Sequence, residues 1–260
     1  MRTLGIWLAA ALIASASTAG AAVMTREIEY KQGDTALKGL MAWDDAIKTK
    51  RPGVLVVHEW WGYNEHARNQ AKRLAQSGYV AFALDMYGEG KLATHPQDAE
   101  AFAAEATKDP AVVNARFDAG LEQLKSDPHV DPAKISAIGY CFGGGIVLSQ
   151  ARAGKDLKAV VSFHGMLAAD QPAEPGKVKA RVLALIGGAD PFCPPATVAA
   201  FQKEMQNAGV NYRVVVYPGA RHSFTNPDAA KAGMPQLAYN AAADKKSWAE
   251  MLKLLRTLSR

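Results

Sequence analysis

Between Val54 and Tyr217 the chain repeats one alternation: a short, continuously apolar, β-rich run, then a stretch long enough for a helix, then another such run. The apolar runs at 54–58, 79–84, 135–140, 159–163, 182–186 and 212–217 lack the in-out polarity of strands with one wet face, so they read as strands covered on both sides. Helical patterns separate them at 64–76, 98–125, 144–152 and 197–208, with Gly78 and Gly209 as stops. Strands joined through helices pair in parallel with right-handed crossovers. The predicted architecture is therefore α/β, a mostly parallel central sheet with helices on both faces. Ahead of it, residues 26–43 read as a hairpin turning at Gly33-Asp34. A final helix over about 238–258 carries Trp248, Met251, Leu252, Leu255 and Leu258 on one packing stripe.

With 260 residues, 49% hydrophobic and 21% charged, the composition excludes disordered, collagen-like and disulfide-scaffold chains, and residues 22–260 are expected to form one domain. The first 21 residues read differently. Arg2 precedes an apolar run from Leu4 to Ala14, and Ala19-Gly20-Ala21 supplies the small residues that signal peptidase cuts. That run is shorter than the roughly 20 residues a membrane span needs. A cleaved secretory leader is expected, with a periplasmic or secreted mature chain that does not associate with membrane. The net charge of +5 is dispersed, its densest cluster being Lys48, Lys50 and Arg51, which makes no stripe for nucleic acid. The expected partner is a small molecule, and the expected assembly a monomer or weak homodimer.

The segment Ile135 to Gly145 carries the chemistry. A strand runs into Gly139-Tyr140-Cys141-Phe142-Gly143 and then into a helix, the strand-turn-helix context of a nucleophile elbow with cysteine in the nucleophile's place. Glycines at both ends of such a bend remove Cβ clashes, and a thiol at a helix N-terminus is favoured as thiolate. In this fold the base and its orienting acid follow the nucleophile in the order acid, then histidine. Asp190 falls just past one strand end and His222 just past the next, so all three groups sit at carboxyl ends of parallel strands, where open α/β sheets build their sites. An unperturbed imidazole in this role loses rate as it protonates near pH ~6.5. The backbone N–H groups of Phe142, next after the nucleophile, and Trp60, at the end of the first strand, are the expected oxyanion hole. Glu59 either accepts a proton from Cys141, gating the thiolate, or pairs with Arg68 or Arg73.

Together the elbow, His58-Glu59-Trp60-Trp61-Gly62, Leu84-Asp85-Met86-Tyr87-Gly88, Gly188-Ala189-Asp190 and Arg221-His222-Ser223-Phe224 resemble the dienelactone hydrolase family, carboxymethylenebutenolidase-like members of the α/β-hydrolase superfamily. The resemblance covers about residues 25–258. It implies an α/β-hydrolase fold, a Cys141-Asp190-His222 triad cleaving lactones or esters through an acyl-thioester, and a Glu59 that holds the resting thiol until substrate binds. It also implies that Tyr87 lines the pocket. Trp61, Lys91, His164 and Phe224 join it there as expected pocket residues, although for His164 a packed histidine is the favoured reading. Relatives acting on carboxylated lactones carry arginines after the tyrosine and after the His-Ser-Phe. Here those stretches read Gly88-Glu89-Gly90-Lys91 and Thr225-Asn226, so a bidentate carboxylate clamp is missing.

No metal or other cofactor is expected, since the six histidines do not cluster at ligand spacings. Two other functions remain open from sequence. One is an exported thiol protein in which Cys141 and Cys193 form a regulatory or structural disulfide. The other is a non-catalytic small-molecule binding protein on the same fold.

Overall fold

The computed structural model describes residues 23–258; the leader expected over 1–21 lies outside the described residues. Eight strands form one sheet: β1 (Val23–Gln32), β2 (Thr35–Asp44), β3 (Arg51–Val57), β4 (Val80–Leu84), β5 (Val130–Tyr140), β6 (Ala159–Phe163), β7 (Arg181–Gly187) and β8 (Tyr212–Tyr217). Their spatial order is β1-β2-β4-β3-β5-β6-β7-β8. The β1–β2 hairpin joins antiparallel to β4, and every other pairing is parallel. The helices are α1 (Glu65–Gln76), α2 (Pro96–Thr107), α3 (Pro110–Ser126), α4 (Phe142–Arg152), α5 (Pro195–Asn207) and α6 (Ala241–Leu258). None of the described helices is long and apolar enough to cross a membrane.

The central strands are apolar where they cross the middle of the sheet because each face has its own core. Along β3, Leu55 and Val57 face a layer built with Phe117, Leu121, Ile146 and Phe201 of α3, α4 and α5. Val54 and Val56 face the opposite layer, closed by Leu74 of α1 and Met251 and Leu255 of α6. Each such buried side chain contributes about 1.5–3 kcal/mol relative to exposure. From β3 the chain crosses to β4 on one side and later to β5 on the other. The carboxyl ends of β3 and β5 therefore flank the crevice where the winding direction reverses, the place where open α/β sheets take their ligands.

Two elements differ from the sequence expectation. The pattern over 98–125 is two helices, because Pro110 has no N–H and forces Asp109 to extended backbone (φ −120°, ψ 110°), where its side chain caps α3 by accepting from Ala111 N–H at 2.8 Å. Strand β5 begins at Val130, earlier than its apolar run, because Val130 and Asp131 pair with Arg51 and Pro52 before the register shifts at Pro52/Gly53. The α1 boundaries follow their signals: Asn64 caps the first turn by accepting from His66 and Ala67 N–H, and Gly78 (φ 92°) ends it.

A part-buried ion pair ties three of these pieces together. Arg152 on α4 donates to Glu204 on α5 from Nε (2.7 Å) and Nη2 (2.9 Å), and to the Leu167 carbonyl in the loop after β6 (2.8 Å). Burial alone would raise the Glu204 carboxyl, but Arg152 and the Ala173 N–H hold it below its ordinary value. Its stabilising contribution is accordingly present above the unfolded pKa and fades as the solution is acidified. Glu204→Ala leaves Arg152 charged and unpaired. The expected loss is about 3 kcal/mol, measured as a lower urea midpoint at unchanged slope.

Candidate active site

Cys141 stands alone between the end of β5 and the start of α4, with φ 52° and ψ −115°. A non-glycine residue in this region costs roughly 1–3 kcal/mol, so the surroundings must impose it. They do so through hydrogen bonds from Cys141 N–H to the Phe163 carbonyl (3.0 Å) and from Gly145 N–H to the Cys141 carbonyl (3.2 Å). The glycines on either side permit the bend. A Cβ on Gly139 would lie 2.0 Å from the Gly143 carbonyl oxygen, and one on Gly143 would lie 2.4 Å from that of Val57. The first turn of α4 therefore rests directly on the ends of β5 and β3, and Cys141, half-buried, stands where they meet.

Asp190 follows β7 and His222 follows β8, and the structure joins them: His222 Nδ1 lies 2.8 Å from Asp190 Oδ2, with both residues buried. The other carboxylate oxygen accepts from Phe192 N–H at 2.9 Å, so the acid is fixed on both sides. Burial pulls the His222 pKa down, but it is outweighed by the Cys141 charge, the Asp190 hydrogen bond and a hydrogen bond with Cys141, which carry it up to about 10. The Cys141 sulfur and the imidazole are thus hydrogen-bonded neighbours.

Glu59 pairs with neither of the arginines considered for it. Its carboxylate is 1% exposed, and its two oxygens accept from Ser223 Oγ (2.9 Å) and Asn226 Nδ2 (2.6 Å), with His66 Nδ1 at 3.7 Å. Arg68 pairs instead with Glu27, and Arg73 with Asp244. The two oxygens thereby tie the His222 loop to the β3 loop. That tie also steadies Ser223, next to His222, at φ 54°.

Around the sulfur the expected pocket residues sort into two groups. Tyr87 belongs beside it: burial and the Cys141 charge both push its phenol upward, and its hydroxyl donates to the Trp60 carbonyl at 2.9 Å. Trp60 and Trp61 are half-buried and meet edge to face at 5.1 Å. Phe142 packs on Tyr87 at 5.3 Å. Neither Phe142 N–H nor Trp60 N–H is hydrogen-bonded to another described residue. Phe224, by contrast, is fully buried against Tyr217 and His164, because the left-handed turn at Ser223 aims it into the core, and it lines no pocket. His164 is fully buried behind His222 at 5.2 Å, with Nε2 on Thr225 Oγ1 at 2.8 Å. Burial and the neighbouring histidines hold it well below the ordinary imidazole value, so it packs as a neutral ring. Lys91 is turned outward to Glu105 at 3.2 Å, with Glu89 at 4.0 Å.

Cys141 and Cys193 are both free thiols, not the disulfide considered above. Burial and Asp190 push the Cys193 thiol up to about 11, which makes it a poor nucleophile. The described residues hold no group of His, Cys, Asp and Glu arranged for a metal. Sequence reasoning missed Phe192, a 40% exposed aromatic standing edge-on to His222 at 5.0 Å. Its position two residues after Asp190 was the only signal. It also missed Ser223 and Asn226 as the partners of Glu59.

Over residues 37–259 the chain matches the model of the dienelactone hydrolase family. Protein usf of Aquifex pyrophilus is 33% identical over 210 residues, 78% of this chain and 88% of that protein. A Methylorubrum extorquens protein named "Putative carboxymethylenebutenolidase" is 34% identical over 66% of this chain and 63% of its own length. Among solved structures, a dienelactone hydrolase-like promiscuous phosphotriesterase from metagenomic libraries superposes with a TM-score of 0.87 at 36% identity, covering 92% of this chain and 99% of that one.

Proposed function

Because the chain belongs to the dienelactone hydrolase family and is a hydrolase of α/β fold, we propose that it cleaves a small, uncharged carboxylic ester or lactone with Cys141 as nucleophile, His222 as acid and base, and Asp190 as the group that orients His222. The observation that carries this reading is the cysteine held at φ 52° over the crevice, beside an imidazole whose far nitrogen lies 2.8 Å from a buried carboxylate. The substrate carbonyl sits against Phe142 N–H and Trp60 N–H, and the thiolate attacks it to give a tetrahedral oxyanion. Collapse expels the alkoxide, which takes a proton from the His222 imidazolium; in a lactone it stays tethered to the acyl chain. The acyl-thioester then has no thiolate charge. That removes the strongest influence raising the His222 pKa, so the imidazole is released as a base in the step that needs one. It takes a proton from water, the water oxygen attacks the thioester, and thiolate and imidazolium return.

The uncharged substrate follows from the cations near the site. Lys91 is compensated by Glu105 and Glu89, Arg221 donates to the Pro235 carbonyl, and Arg116 donates to the Met86 and Tyr87 carbonyls. None offers a carboxylate the paired donors of a guanidinium fork. The side chains joined to His222 and Tyr87 are aromatic: Phe192 meets the His222 ring, Phe142 packs on Tyr87, and Trp60 and Trp61 meet beside the Tyr87 hydroxyl. A neutral phosphotriester belongs in the same substrate screen, given the activity in the name of the metagenomic neighbour. With residues 1–21 read as a leader, the reaction is placed in the periplasm or outside the cell.

The test is acid quench of the enzyme with a slowly hydrolysed aryl ester, followed by peptide mass analysis. An acyl group on the Cys141 peptide supports the reading; acylation elsewhere, or none during turnover, overturns it. The pH profile is a second check. Since the leaving group takes its proton from an imidazolium with pKa about 10, kcat/KM is expected to stay high through neutral pH and fall as the pH rises through about 10.

A further inference from the structure

We infer that His58 is the positioning residue of the oxyanion hole, fixing the direction of both backbone N–H donors without touching substrate; this rests on the reading of Cys141 as nucleophile. His58 is the first residue beyond β3, is fully buried, and has both ring nitrogens engaged. Nδ1 lies 2.6 Å from the Glu59 carbonyl oxygen, and Nε2 lies 3.1 Å from Met86 N. A carbonyl only accepts and a backbone N–H only donates, so the two contacts define one tautomer: Nδ1 carries the proton and Nε2 is bare. Burial favours this uncharged ring over the imidazolium.

The Glu59 carbonyl belongs to the same planar peptide as Trp60 N–H. Holding that oxygen aims that hydrogen. The same carbonyl also accepts from Gly62 N–H at 3.1 Å, and the following carbonyl, that of Trp60, is held by the Tyr87 hydroxyl at 2.9 Å. The Trp60 peptide is thereby gripped on both sides. His58 also reaches the other donor: its ring lies flat over that of Phe142 (5.7 Å, 14°), and its own carbonyl accepts from Gly143 N–H at 3.1 Å. The anchor beyond the ring is firm, since Asp85 Oδ1 accepts from both Tyr87 N–H and Gly88 N–H beside Met86. One side chain therefore links the end of β3, the turn after β4 and the elbow after β5. The two N–H groups converge only if those three segments keep their spacing.

The variants are His58→Phe, which keeps a flat ring over Phe142 and loses both polar contacts, and His58→Asn, whose amide nitrogen stands where Nδ1 does and donates to the Glu59 carbonyl. Two rates are measured on each: hydrolysis of an aryl ester, and alkylation of Cys141 by iodoacetamide. Alkylation forms the C–S bond as iodide leaves and passes through no oxyanion, so it reports the thiolate and access to it alone. For His58→Phe the expected result is a kcat lower by about 10²-fold, KM within about threefold, and alkylation within about twofold of wild type. His58→Asn is expected to recover at least about tenfold of the lost kcat. Parallel loss of both rates marks a merely structural residue and overturns the inference, as does unchanged hydrolysis in His58→Phe. If only His58→Asn folds, its hydrolysis within about tenfold of wild type supports the inference and a larger loss overturns it. Should iodoacetamide leave wild-type turnover intact, the nucleophile reading has failed instead.

Discussion

Cys141→Ala is expected to lower kcat/KM toward a neutral aryl ester by about 10⁴-fold or more, leaving only what the oxyanion donors and binding provide. The substitution removes one sulfur atom and nothing that the fold uses. The hydrogen bonds that impose the bend at this position run through backbone N–H and C=O, to Phe163 and from Gly145, and alanine keeps them. Thermal stability should therefore change little while turnover collapses. His222 reports the same event independently: without the thiolate its pKa should fall from about 10, a change that NMR titration of the ring reads directly. Cys193→Ala is the matched control. Cys193 is buried in the wall beneath Asp190 and has a thiol held at about 11, so its loss should leave turnover within about twofold of wild type. Near-normal turnover by Cys141→Ala would end the proposed chemistry.

Asp190→Asn is expected to cost about 10³–10⁴-fold in kcat with little change in KM. Phe192 N–H already donates to one oxygen of the carboxylate, so asparagine places its carbonyl there and turns its NH2 toward His222 Nδ1. That nitrogen must then accept, and the ring's single proton moves to Nε2, the side facing Cys141. An imidazole in that state neither takes a proton from the thiol nor makes the charged pair. Its pKa loses both the hydrogen bond and the charge that Asp190 supplies, so the alkaline edge of any remaining activity should move to lower pH. A profile unchanged in position, whatever the rate, would show that the carboxylate does not govern His222.

The sequence carries the sheet because its core is double-sided: a strand such as β3 is apolar at each step from Gly53 to Val57, and its length and β-branched residues suit a strand covered on both faces. The elbow is equally legible, since Gly139 and Gly143 stand where side chains would meet backbone within 2.4 Å. Order along the chain then places Asp190 and His222 at strand ends. What the sequence conceals is direction. Glu59 follows the correct strand, yet its partners Ser223 and Asn226 come from a loop more than 160 residues away, and nothing local says whether its carboxylate turns toward the thiol or away from it. Phe224 and His164 look like pocket residues by proximity to the motif. Their own backbones, at a left-handed Ser223 and at φ 39° for His164, send them inward. Pro110 was visible as a helix breaker; the long pattern around it masked the division.

The grip of Ser223 and Asn226 on Glu59 has a consequence for the chain as it is synthesised. A polypeptide that ends short of Ser223 collapses around a carboxylate without either of these donors, and burying an unsatisfied carboxylate in a dry interior costs several kcal/mol. Prematurely terminated products therefore carry their own flaw into the centre of the molecule, and should be cleared by proteases rather than accumulate as inert look-alikes of the finished enzyme.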